Sequence, residues 1–106
     1  MSERVRVCAP DELELGKPRA VEVAGERICV VRCAAGVYAI DDTCSHEDYS
    51  LADGEVDTEE CAIECWAHGS VFSLRTGEPE NLPATRPVRT YPVELDAEGV
   101  HVVVRP

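Results

Sequence analysis

Apolar and polar residues alternate along this chain in short runs, a period of two that suits half-buried strands. Arg4 to Ala9 sets Val5, Val7 and Ala9 among charged residues and predicts a first strand. Pro10-Asp11 turns the chain, and Leu13 and Leu15 continue the alternation against Glu12 and Glu14. Gly16-Lys17-Pro18 is a second turn, Val21 and Val23 alternate again, and Gly25-Glu26 reads as a hairpin tip. Ile28 to Cys33 is β-branched and nearly continuous, the mark of a central strand, and Ala34-Ala35-Gly36 turns it back into Val37 to Ile40. Further strands are predicted at Cys61 to Glu64, at Val71, Phe72 and Leu74, at Val88 to Leu95 and at Val100 to Val104. Pro79, Pro83 and Pro87 forbid regular structure between Leu74 and Val88. No convincing helical period appears, so the pattern predicts an all-β, antiparallel domain.

The irregular middle third carries two clamps, Cys44-Ser45-His46 and Cys65-Trp66-Ala67-His68, which hold two of the three histidines. Together they offer two thiolates and two imidazoles from two loops. That set suits a [2Fe–2S] centre in which two histidines replace two cysteines on one iron. It equally suits a tetrahedral Cys₂His₂ zinc, which would make the chain a structural or interaction module. A catalytic Cys–His pair would leave the other clamp unexplained. Gly69 follows the second clamp directly, where a loop folding over a metal can use a residue without a Cβ.

The chain has 106 residues, which predicts one domain over 1–106. Ten basic against 21 acidic residues give a net charge of −11. This excludes nucleic acid and anionic membrane surfaces as partners, because phosphate binding needs clustered Lys and Arg. A basic face on a partner protein is the natural complement. No apolar run approaches the ~20 residues of a bilayer span, and the first ten residues lack the apolar core of a signal peptide. The expectation is a cytoplasmic monomer. A reducing compartment argues against disulfides among the six cysteines. Cys8, Cys29, Cys33 and Cys61 are then expected as free, buried hydrophobes, with Cys29 and Cys33 on one face of their strand. A substitute-ligand role for Cys61 is the lesser alternative. His101, among valines, is expected to be structural or merely exposed.

The pattern Cys44-x-His46…Cys65-x-x-His68-Gly69, followed by Phe72-x-Leu74-x-Thr76-Gly77, resembles the Rieske family. Length and coverage resemble the small Rieske-type ferredoxins of bacterial ring-hydroxylating dioxygenase systems, and Leu51-x-x-Gly54 and Ile63-Glu64 fit as well. The resemblance implies a basal antiparallel β-sandwich with an inserted cluster-binding subdomain, here about 42–84. It implies Cys44 and Cys65 on one iron, His46 and His68 on the other, and Pro83 in a loop covering the third side of one [2Fe–2S] cluster. It implies a one-electron carrier between an NAD(P)H-dependent flavin reductase and a terminal oxygenase, and not an enzyme. The chain is too short for the 2-His-1-carboxylate iron domain of an oxygenase itself. The rival within the fold is a small subunit of a nitrite reductase.

Two thiolates, two sulfides and two ferric ions sum to zero, whereas four thiolates leave −2, so the mixed set accepts an electron more readily. Respiratory Rieske proteins add a cysteine to each clamp and bridge them. Tyr49 and Ala67 stand at those positions here, so that bridge cannot form. Phe72 fills the place of a tyrosine donor, while Ser70 is kept as a donor to a cluster sulfur. Fewer donors predict a potential toward the low end of the Rieske range, roughly −150 mV upward. Trp66 has three readings: cover for the cluster, docking contact or packing. Glu47, Asp48, Asp53, Glu55, Asp57, Glu59 and Glu60 either form a solvated face or ring the histidines as a negative docking surface.

Overall fold

The nearly continuous apolar run becomes β3 (Glu26–Cys33) and is walled on both faces. Side chains alternate across a strand. Ile28 and Val30 enter one core with Leu13, Val23, Ala39, Val100, Val102 and Val104. Cys29, Val31 and Cys33 enter a second with Ile40, Leu51, Ile63, Phe72 and Leu74. Cys29 and Cys33 thus share a face, as their spacing predicts.

A computed structural model describes residues 3–104. β1 (Glu3–Cys8), β2 (Arg19–Val23), β3 and β4 (Gly36–Asp41) open the chain, and β5 (Glu55–Asp57), β6 (Ala62–Glu64) and β7 (Val71–Ser73) form its middle. β8 (Thr90–Tyr91), β9 (Val93–Asp96) and β10 (Gly99–Val104) close it. The sheets run β2-β3-β4-β8, β1-β10-β9 and β5-β6-β7, with every strand pair antiparallel. The first two sheets enclose the valine-rich core. The third, with its loops, lies over the other face of β3 and β4. This is an all-β fold. Among the described residues no helix is long and apolar enough to cross a membrane.

Three expectations need correction. The alternation at Leu13 and Leu15 does not make a strand. Pro10–Glu12 is a 3-10 turn in which the Glu12 carboxylate accepts the Ala9 N–H at 2.7 Å. Leu13 alone finds the core, while Leu15 is 56% exposed. The single strand predicted at Val88 to Leu95 is two, because Pro92 has no N–H to continue a ladder. β8 pairs with β4 and β9 with β10, and Val88 is buried in the second core.

The third correction concerns cysteine. Cys33 and Cys61 form a disulfide, with Cα atoms 5.8 Å apart. The cause is tertiary: the Ala34 N–H donates to Thr58 O at 2.9 Å and lays the β5–β6 turn against the end of β3. Cys61 is therefore not a substitute ligand. Cys8 and Cys29 remain free and buried, and burial pushes both thiols above their ordinary range. His101 is structural: it is 4% exposed, with Nε2 3.1 Å from Asp96 Oδ1. That contact, then Arg4, holds the Asp96 carboxyl well below the usual range.

Candidate metal centre

Both clamps are closed loops of the same design. After β4, a bridge between Thr43 and Ser50 narrows the chain, and the Cys44 N–H donates to Tyr49 O at 2.9 Å. After β6, the Cys65 N–H donates to Ser70 O at 2.7 Å, and the Gly69 N–H to Cys65 O at 3.0 Å. Each cysteine thus sits at the base of its loop and each histidine toward the tip. Gly69 has φ +74°, a left-handed conformation the tight return requires, and a Cβ there would stand 4.0 Å from Glu64 Oε2.

The donors separate by depth. Cys44 is 4% and Cys65 1% exposed, whereas His46 and His68 lie at the surface. The imidazole rings meet edge to face, centroids 5.4 Å apart. Burial pushes the Cys65 thiol up, and the adjacent Cys44 thiol adds to this. The N–H groups of Ala67 and His68, directed at the sulfur, pull the other way. Donors aimed at a buried sulfur favour its anionic, metal-binding form.

The spacing tests the two metals. In a tetrahedral Cys₂His₂ zinc the four donor atoms lie about 3.5 Å from one another, given the usual bond lengths. Among the described residues, the set of three or more metal-donor side chains that gathers within 4.8 Å is His46, Glu47 and His68, without either cysteine. The four donors of the clamps therefore do not gather about one point, whereas a two-metal group needs only one pair on each metal. The residues fit a [2Fe–2S] centre better than a single ion.

A third loop, 79–87, is sewn to both clamps. Asn81 accepts the Val71 N–H through Oδ1 at 2.7 Å and donates through Nδ2 to Gly69 O at 3.0 Å. The Ala84 N–H donates to the buried Ser70 Oγ at 3.1 Å, leaving that hydroxyl its own proton to give. The Ser45 hydroxyl donates to Arg86 O at 2.5 Å. Pro83 lies half-buried in this loop. The sequence pattern gave no sign of Asn81, Ser45, Arg86 or the buried Asp42, since each acts through contacts far along the chain.

Trp66 is 58% exposed and packs edge-on against Tyr49 at 5.1 Å, with Tyr49 6.0 Å from His68. It is a surface residue beside the histidines. Tyr49 makes an aromatic contact between the loops. The acidic segment divides. Glu47 Oε1 lies 3.7 Å from His46 Nε2, whereas Glu55, Asp57, Glu59 and Glu60 line an open groove on β5–β7 with Glu64 and Glu80.

Residues 3–92 match the family described as the Rieske [2Fe-2S] domain. The chain belongs to the Rieske family. Its [2Fe–2S] group is the cofactor that the family carries, and the depth-sorted donors suit it. The Rieske chain is 35% identical to the biphenyl 2,3-dioxygenase ferredoxin component of Rhodococcus jostii (strain RHA1), over 92% of this chain and 89% of that protein. It is 40% identical to the ferredoxin of carbazole 1,9a-dioxygenase from Nocardioides aromaticivorans IC177, with TM-score 0.90 over 97% and 98% of the two chains. A ferredoxin solved in complex with the oxygenase of carbazole 1,9a-dioxygenase is 35% identical, TM-score 0.86, over 93% and 91%. A nitrite reductase small subunit structure from Mycobacterium tuberculosis has TM-score 0.88 at 21% identity over 100% and 98%, which shows the fold alone.

Proposed function

We propose that this Rieske protein is a one-electron carrier that delivers to a terminal oxygenase, with Cys44 and Cys65 holding one iron and His46 and His68 the other. The observation that carries this is the buried thiol pair beneath an exposed, mutually contacting imidazole pair. The [2Fe–2S] group, when bound, accepts and releases a single electron. Cys44 and Cys65 anchor it from the interior, where water is excluded. His46 and His68 present their outer edges to a partner and so shorten the path an electron must cross. The 79–87 loop fixes both clamps, which limits rearrangement between redox states. The inserted unit spans about 42–84 and the flanking segments form the base.

Three relatives support the oxygenase client: two are named as ferredoxins of dioxygenases and one is solved with its oxygenase. The supplier is an NAD(P)H-dependent flavin reductase, and the carrier works as a cytoplasmic monomer. With a net charge of −11, a basic partner face would speed the encounter. Visible absorption and EPR of the purified protein test the ligand set. Cys65→Ser and His68→Ala should bleach the spectrum, while His101→Ala should leave it intact. A His68→Ala variant with the unchanged spectrum would sink the assignment. The rate of electron transfer to an oxygenase should fall steeply with salt; a flat profile would remove the charge-steered docking.

A further inference from the structure

Asp42 is not among the proposed ligands, yet its side chain is 1% exposed at the root of the first clamp. Its Oδ1 accepts the Ala52 N–H at 2.9 Å, and its Oδ2 accepts the Ser50 hydroxyl at 2.6 Å. Arg27 Nη2 stands 3.3 Å from Oδ2. The Asp42 main chain is used as well: its N–H donates to Arg27 O at 3.1 Å, and its carbonyl accepts the Leu51 N–H at 2.6 Å. One residue therefore ties the β2–β3 hairpin end, the end of β4 and the turn at Leu51–Asp53. The next rungs outward are the Thr43–Ser50 bridge and the Cys44–Tyr49 hydrogen bond. The loop bearing Cys44 and His46 thus stands on Asp42.

A buried carboxylate is costly unless fully hydrogen-bonded, and an apolar side chain could fill the same space without that cost. Here all the donors belong to the return of the ligand loop or to Arg27. The Arg27 side chain is 62% exposed and so screens the charge only from one side. The field reaches the neighbouring core, where it adds to the upward push on Cys29, and Cys29 shares that core with Cys44 and Cys65.

We propose that Asp42 is the positioning residue of the first ligand loop: it fixes where Cys44 and His46 stand, and its buried charge lowers the reduction potential of the group they hold. This rests on the ligand set given above. Asp42→Asn keeps the shape and one acceptor while removing the charge. Compared with the wild-type holoprotein, it should raise the midpoint potential and shift the EPR g-values. It should also speed iron release to a chelator about tenfold or more, the loss expected for a charge-assisted hydrogen bond. Hydrogen exchange over residues 43–52 should quicken. Ser50→Ala removes one donor and keeps the charge. It should quicken exchange and iron release by less and leave the potential unraised.

Wild-type potential, g-values and iron release in Asp42→Asn, with only a lower thermal midpoint, would make Asp42 ordinary scaffolding and overturn the proposal. Should Asp42→Asn fail to fold or load, Ser50→Ala decides: wild-type exchange and iron release there would overturn it too. Failure of the ligand set shows elsewhere, as a Cys44→Ser protein that keeps the wild-type spectrum.

Discussion

The two ligand loops close with the same backbone pattern but stand on different supports. The second, Cys65–Ser70, grows from the β6–β7 ladder, in which Ile63 pairs with Phe72 and Glu64 with Val71. Backbone hydrogen bonds within regular structure carry its root, Asn81 and Ser70 add side-chain ties to the 79–87 loop, and the Cys33–Cys61 disulfide lies beneath. The first, Cys44–Tyr49, follows the last residue of β4 with no partner strand after it. Side chains do for it what a ladder does for the other: Asp42 below, Ser45 to Arg86 at the side, and Tyr49 against Trp66 and His68 above. A loop rooted in a ladder keeps its base when a side chain changes. A loop held by side chains can be tuned, or lost, through single residues.

Severing the staple under the second loop should have the largest effect on stability. Closing a loop of 28 residues' separation is worth about 3.5 kcal/mol in the chain-entropy account. Cys33→Ser should lower the denaturation midpoint accordingly, and adding a thiol reductant to the wild type should reproduce the loss. Equal stability with and without reductant would show that the second loop needs only its ladder.

Gly54 sits where the return of the first loop crosses the root of the second. A Cβ there would lie 1.8 Å from Glu64 O, a backbone atom that cannot swing away. Gly54→Ala should cost about 3 kcal/mol through overpacking, read as a fall of roughly 15 °C in Tm for a domain of this size. Because the contact joins both supports, cluster content should fall with it.

The aromatic contact between the loops is weaker. Tyr49→Ala should cost about 1 kcal/mol and loosen the first loop more than the second, measured as faster hydrogen exchange over residues 43–50 than over 65–70. Equal loosening would mean that Tyr49 serves both loops alike. The smallest effect expected is at Ser70, whose hydroxyl accepts from Ala84 and keeps a proton to donate. If that proton goes to a cluster sulfur, Ser70→Ala lowers the midpoint potential, the sense opposite to Asp42→Asn. An unchanged redox titration would remove Ser70 from the list of donors.

Much of this was legible in the residues. The β-branched run of β3, the turn residues and the two clamps are local signals, and local chemistry suffices to read them. Other features were invisible for a physical reason. Leu13 and Leu15 carry the same alternation, but only Leu13 meets a core, and the pattern of a segment does not reveal what packs on it. Val88 to Leu95 carries β character throughout, yet Pro92 divides it between two sheets. The acidic residues between the clamps look like one surface in sequence; the β5–β6 hairpin carries four of them to a groove and leaves Glu47 beside His46.

The sequence by itself determined the chemistry: which side chains can be donors, in what number, and on loops of what length. Spacing within a loop fixes such things because a few residues of chain have little room to vary. Depth and support were decided only by the tertiary structure. The sinking of the thiols, the exposure of the imidazoles, the bond between Cys33 and Cys61 and the burial of Asp42 under a ligand loop all join residues distant in the chain. Such contacts follow from how sheets stack, and no local pattern encodes them.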